Sequence, residues 1–342
     1  MDTSVLRNQI LATGVGSLPQ ADSQEAVREV VDIFGGHIPF WPQLPRRSFY
    51  ENMYVQFTER FPGICLDEAG KSVRVDTRRD DYLTQLEECF HHIQASDVDY
   101  FGLSRPYAES LFILCDRLKN SGRQEWIKAQ IIGPLSLGLT ILDEAKNPIL
   151  YHPDLFEILA AFLSLKAAWL VRQIRLTPQT KAVVFVDEPY LVAVGTSACS
   201  LPRETITAKI NQVVRAIHEQ GAVAGLHCCG NTDWEMVLDT DIDILNFDAY
   251  GYMDKLLIYE KAIAKFVKRG GLFALGIVPN TEEISQAGLL ERLCDTLRRN
   301  PVLFTHGALI TTSCGCSGLS PELTHRALVS CVDLAARLRG IF

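Results

Sequence analysis

Ala222-Val223-Ala224-Gly225-Leu226-His227-Cys228-Cys229 is the stretch on which the reading of this chain turns. An unbroken apolar run ends abruptly in three soft, deprotonatable side chains. A short continuous run of this kind marks a strand buried on both faces, the usual state of a parallel sheet wrapped by helices. The pattern recurs downstream, where Ala308-Leu309-Ile310-Thr311-Thr312 leads into Ser313-Cys314-Gly315-Cys316. Six further apolar runs resemble these two. Strands are expected over residues 9–15, 98–103, 127–132, 181–186, 223–227, 243–247, 272–277 and 308–312. Helix-period segments lie between or after them, at 23–34, 84–94, 155–175, 203–219, 254–268, 285–299 and 322–338. Eight such alternations predict an α/β chain forming a single (β/α)8 TIM barrel over residues 1–342, with a doubly wound sheet as the alternative. Residues 35–80, rich in Pro and aromatic residues, fit neither pattern and are read as an insertion after the first strand, lying over one end of the barrel.

Bulk composition narrows the function. The 342 residues are 47% hydrophobic and 22% charged, within the range of globular proteins. The formal net charge of -8 argues against a nucleic-acid partner, which calls for a basic patch. No apolar run reaches the roughly 18 residues of a membrane-spanning helix. The start, Met1-Asp2-Thr3-Ser4, lacks the features of a signal peptide. Ten cysteines without a secretion signal imply thiolate chemistry in a reducing compartment, so a cytoplasmic enzyme is expected.

In a TIM barrel the active site lies at the C-terminal ends of the strands. Ser17, the Asp187-Glu188 pair, His227, Cys229, Asp248 and Cys314 all fall at or just beyond such ends. A zinc ion prefers four tetrahedral ligands, and sulfur and imidazole suit it. His227 and Cys229 are alternate residues at one strand end and point the same way. Cys314 is the third candidate ligand with Cys316 in reserve, and Cys228 is read as a packed thiol. Asp248 is the natural oxygen ligand, although an acid there also suits the N-cap of the next helix. A site rich in thiolate is a weak Lewis acid toward water but holds an external thiol as thiolate. The acid pair Asp187-Glu188 can bind an ammonium, act as a base or cap a turn. The turn Gly14-Val15-Gly16-Ser17 can hold a carboxylate.

These residues resemble the cobalamin-independent methionine synthases, in particular their C-terminal catalytic barrel, within the wider uroporphyrinogen-decarboxylase-like barrel group. The matching parts are Gly16-Ser17-Leu18-Pro19-Gln20, Gly133-Pro134, Val186-Asp187-Glu188-Pro189, His227-x-Cys229 and Cys314-Gly315. They run in order along nearly the whole chain. The resemblance implies zinc held by His227, Cys229, Asp248 and Cys314. Homocysteine would be held with its amine on Asp187 and its carboxylate near Ser17, and Glu51 would make a further contact to the amine.

The chain also departs from that family. It is about half as long as the folate-using enzymes. A tryptophan expected in residues 133–141 is absent, and the late His-Ser-Pro-Arg segment is replaced by Ile277-Val278-Pro279-Asn280. Asp248 stands where a glutamate is usual. These departures imply a methyl donor other than a folate, namely methylcobalamin presented by a corrinoid protein. Transfer to another thiol such as coenzyme M, a porphyrinogen-decarboxylase-like activity and a non-catalytic subunit of a corrinoid complex are the alternatives.

Overall fold

The computed structural model describes Leu6, residues 8–120 and residues 124–341; the Met1–Ser4 stretch read above lies outside them. In chain order the elements begin with β1 (Gln9–Ala12), α1 (Ser23–Phe34), α2 (Met53–Gln56), β2 (Ile64–Asp67), β3 (Ser72–Val75), α3 (Tyr82–Gln94) and α4 (Arg105–Asn120). The middle of the chain holds β4 (Trp126–Ile132), α5 (Pro134–Thr140), α6 (Pro153–Arg175), β5 (Lys181–Asp187), α7 (Arg203–Glu219) and β6 (Val223–Cys228). It continues with α8 (Trp234–Leu238), β7 (Ile244–Phe247), α9 (Ala249–Leu257), α10 (Glu260–Lys268), β8 (Leu272–Val278), α11 (Leu289–Arg298), β9 (Gly307–Thr312) and α12 (Pro321–Arg339). Seven strands form one parallel sheet in the order β1-β9-β8-β7-β6-β5-β4, and β2 and β3 form a separate antiparallel hairpin. Among the described residues no helix is long and apolar enough to cross a membrane.

The sheet therefore has seven strands where eight were expected, and the difference has a local cause. Residues 98–103 are not a strand: Val98–Phe101 is a 3-10 turn started by the Asp97 side chain, which accepts from Tyr100 N. Val98 and Phe101 are buried three residues apart, the repeat of a 3-10 turn, and Phe101 meets Phe162 of α6 edge-on at 5.3 Å. The gap between the edge strands β1 and β4 is instead spanned by residues 38–43. Ile38 N donates to Ala12 O and Gln43 N to Gly16 O on one side, while Trp41 N donates to Lys128 O and Lys128 N to Pro39 O on the other. Pro39 and Pro42 have no N–H, so this segment makes isolated bridges to Ser17 and Lys128 and no regular ladder. The first part of the expected 35–80 insertion thus lies in the wall of the curled sheet, and only the part beyond it forms an excursion.

Alternation along the strands divides the core in two. Trp126, Val183, Phe185, Val223, Ile244, Leu272, Ala274 and Leu309 pack with Leu11 and Ile38 into an apolar cluster on the inner face. The intervening residues, such as Ile127, Val184, Ala224 and Leu245, pack outward into the large cluster shared with the helices. Two to four residues further along most of these strands, the inner face changes character. Lys128, Gln130, Asp187, His227, Asn246 and Thr311 are all buried there, a polar tier above an apolar plug.

Candidate metal centre

His227 is the penultimate residue of β6 and Cys229 follows the strand, while Cys314 sits in the turn after β9. One donor atom from each lies within 4.8 Å of the other two, and Cys314 Sγ is 4.0 Å from His227 Nε2. The imidazole is fixed from behind. Asn246 on β7 donates its amide nitrogen to Ala274 O at 2.8 Å and Thr311 Oγ1 at 3.0 Å, so its Oδ1 faces His227 Nδ1 at 2.6 Å. An amide oxygen only accepts, which places a proton on Nδ1 and turns Nε2 toward the thiols, where it donates to the Cys229 thiolate or, once that proton is displaced, offers its lone pair to a metal ion.

The two thiols behave as a pair. Hydrogen bonds from Cys314 and His227 hold the Cys229 thiol far down, at about 4, whereas the bond to Cys229 and burial hold Cys314 far above the usual thiol range. Burial alone would lower the His227 pKa, but its bond to Cys229 and the nearby Asp187 charge outweigh that and raise it. The donor set suits zinc. Tetrahedral bonds of about 2.3 Å to sulfur and about 2.0 Å to nitrogen separate neighbouring donors by roughly 3.5–3.8 Å, near the 4.0 Å between Cys314 Sγ and His227 Nε2.

The remaining predicted residues distribute around this cluster. Asp187, last in β5, is buried and faces it; its Oδ1 has no hydrogen-bond partner among the described residues, and burial raises its pKa to about 6 against the opposing pull of Lys128 and His227. Glu188 turns the other way. It is fully buried and accepts from Leu135 N (3.0 Å), Ser136 N (2.8 Å) and Ser136 Oγ (2.5 Å) at the start of α5. A Cβ on Gly133 would lie 2.1 Å from Glu188 Oε1, so the Gly-Pro and Asp-Glu-Pro motifs are two halves of one contact. Ser17 Oγ rests against Gly315, where a Cβ would be 2.1 Å away, and Ser17 O accepts from Cys316 N at 2.8 Å. The glycine turn and the Cys314 loop are thereby joined.

Two predicted residues stand elsewhere. Asp248 is outside the three-atom cluster: its Oδ1 caps α9 by accepting from Gly251 N at 2.8 Å, although Cys229 and His227 still act on its charge. Glu51 is buried with both oxygens engaged, one by Leu44 N at 2.7 Å and the other by Arg47 at 2.6 Å. It ties down the chain after residue 43 and does not present a carboxylate to the cluster. Cys228 and Cys316 are buried thiols with pKa values raised to about 12 and 11 by burial, and neither joins the cluster.

Three residues of the site went unnoticed in the sequence. Lys128 is fully buried on the inner face, donates to Val15 O and to Gln130 Oε1 (2.9 Å), and has its pKa lowered to about 8 by burial despite the pull of Asp187. Asn246 orients His227. Both interrupt apolar runs at inward positions, a signal that was available. Tyr54 on α2 has its phenol raised to about 12, first by burial and then by the charges of neighbours that include Tyr190, Cys229 and Cys314, and its ring lies 6.3 Å from that of Tyr190.

No family model and no curated protein matches the chain. Solved structures do. A B12-independent methionine synthase from Shewanella sp. W3-18-1, in complex with selenomethionine, aligns over 96% of this chain and 98% of its own with a TM-score of 0.61 at 13% identity. A putative vitamin-B12-independent methionine synthase from Listeria monocytogenes covers 97% and 99% of the two chains with a TM-score of 0.55 at 15% identity. A methyltransferase from Methanosarcina mazei covers 95% and 94% with a TM-score of 0.55 at 11% identity. At these identities the likeness is one of fold, and the fold this chain shares over its whole length is that of two methionine synthases and a methyltransferase.

Proposed function

We propose that the protein is a zinc-dependent methyltransferase that forms methionine from homocysteine, with methylcobalamin or a methylated corrinoid protein as donor. The observation that carries this reading is the convergence of His227 Nε2, Cys229 Sγ and Cys314 Sγ beside Asp187, whose Oδ1 has no hydrogen-bond partner among the described residues. These three residues would hold the ion, and Asp248 is the proposed oxygen ligand. When bound, zinc supplies a lowered thiol pKa, so that a substrate thiol is available as thiolate at neutral pH.

The rest of the chemistry falls to the chain. Asp187, whose pKa burial raises and the charges of Lys128 and His227 pull back down, offers Oδ1 to an ammonium. Ser17, joined to the Cys314 loop, would donate to the amino acid's carboxylate. Lys128 supports both arms, bonding the glycine turn through Val15 O while its charge acts on Asp187. Fixing sulfur, amine and carboxylate together converts the encounter with the methyl group into an oriented displacement. Residues 277–280, Ile-Val-Pro-Asn, bring no acidic proton donor to the end of β8. That favours a donor whose leaving group needs no proton, as a cobalt-bound methyl does.

The test is methionine formation from homocysteine by zinc-loaded protein, with methylcobalamin and methyl-folate assayed side by side. Product from methylcobalamin alone is expected. Product from neither, with zinc bound stoichiometrically, would remove homocysteine as the acceptor and leave another thiol, such as coenzyme M, or a non-catalytic role.

A further inference from the structure

The excursion after residue 43 borders a cavity of about 560 Å³, lined by residues from 45–55, by Lys71, Ser72 and Val73 and by Thr140 at the end of α5. Its size is that of a small-molecule site. The polarity of its lining is one-sided. Arg46, Arg47 and Lys71 contribute to it and no carboxylate does, in a chain with 41 acidic and 33 basic residues. Arg47 is committed to Glu51 and Glu109. Arg46 reaches only the Leu319 carbonyl, at 3.3 Å, and Lys71 in the β2–β3 turn has no ion pair among the described residues.

The neutral groups point the same way. Asn52 uses Oδ1 to accept from Tyr54 N, which leaves its amide N–H groups to donate, and Ser48 Oγ accepts from Tyr50 N, which leaves its proton. Phe49, Val55 and Val73 supply apolar surface between these donors. The larger cavity on the outside of the molecule, about 970 Å³ between α7, α8 and α10, lacks this bias. There Glu204, Glu235 and Asp239 interleave with the basic residues, and Lys265 pairs with Asp239.

One contact and one electrostatic influence connect the smaller cavity to the metal centre. Tyr54 lines it and is also acted on by the Cys229 and Cys314 thiols. Arg46 bonds Leu319, in the loop that carries Cys314. We propose that this cavity is a donor subsite, which takes an anionic arm, carboxylate or phosphate on an apolar or aromatic body, of the molecule that delivers the methyl group. The assignment rests on the methyltransferase reading, and its volume accommodates such an arm but not an entire corrin ring.

Binding without turnover tests it. Equilibrium dialysis of zinc-loaded protein would compare methylcobalamin with methylcobinamide, which lacks the nucleotide phosphate, and methyl-tetrahydrofolate triglutamate with the monoglutamate. In one pair the more anionic member should bind about 10-fold tighter, about 1.4 kcal/mol. The preference should weaken as ionic strength rises, and fall below about 2-fold in Arg46→Glu/Lys71→Glu. The pair that discriminates identifies phosphate or carboxylate as the anion. Both side chains are exposed, and the milder Arg46→Gln/Lys71→Gln variant covers any effect of charge reversal on folding. No discrimination in either pair, or a preference that survives both double variants, overturns the proposal. Charge-dependent binding without methionine formation would keep the subsite and remove the acceptor instead.

Discussion

Replacing Asn246 separates what holds His227 from what holds the sheet. In Asn246→Ala the acceptor for His227 Nδ1–H disappears, and so does the donor to Ala274 O, both buried. A buried polar group left without its partner costs about 1–3 kcal/mol, so with two such groups the zinc-free variant should lose about 2–6 kcal/mol of unfolding free energy. Its imidazole is no longer held in one tautomer or one orientation. Loss of such an outer partner typically weakens metal binding 10–100-fold, or about 1.4–2.7 kcal/mol. Asn246→Asp discriminates between the two effects. A carboxylate still accepts from Nδ1–H but cannot donate to Ala274 O or Thr311, so stability should fall by a comparable amount while zinc affinity stays within a few-fold of wild type. Urea unfolding of the zinc-free proteins measures the first quantity, and competition against a chromophoric chelator measures the second. Wild-type zinc affinity in Asn246→Ala, or an equal loss in both variants, would refute the assigned tautomer and with it the direction of the Nε2 lone pair.

The two late cysteines should behave differently despite being two residues apart. Cys314→Ser is expected to lose stoichiometric zinc. Cys316→Ser should keep it and lose about 1–2 kcal/mol of stability, because its thiol is buried in the helix-facing core and outside the cluster; equal zinc contents would reverse the ligand assignment. Glu188 gives a pH signature. Its pKa, about 7 because burial outweighs three donors, lies above the roughly 4.3 of an unfolded glutamate, so the folded state binds the proton more tightly and stability contributed at low pH is lost as pH rises through 7. Glu188→Gln cannot titrate, and its stability relative to wild type should therefore rise by about 3 kcal/mol between pH 4.5 and 7.5 in denaturant titrations. A relative stability that falls over that range would mean the α5 donors keep the carboxylate ionised against its burial.

What was legible in the sequence followed from burial. The runs that became β4 to β9 are buried on both faces, so each appears as a largely apolar stretch, broken only by inward polar residues such as Lys128, Gln130 and Asn246, and the residues at its end carry the site. His227, Cys229 and Cys314 were readable for that reason. Residues 38–43 do the work of a wall segment without the signature of a strand, since Pro39 and Pro42 remove donors and the side chains do not alternate. The 98–103 run looked like a strand because six residues cannot distinguish a period of two from a period of three when Gly102 intervenes. The acid pair shows a subtler limit. Adjacent residues at a strand end face opposite sides of the sheet, so Asp187 enters the inner tier and Glu188 reaches the start of α5, where only Gly133 leaves room for it. The sequence shows two acids together; the pleat assigns one to the site and the other to the helix. The same alternation, applied to Lys128 two residues from Gln130 and to Asn246 two residues from Ile244, places both in the inner tier. Polar residues that break an apolar run in phase with the site are therefore the ones to test beside the ligands themselves.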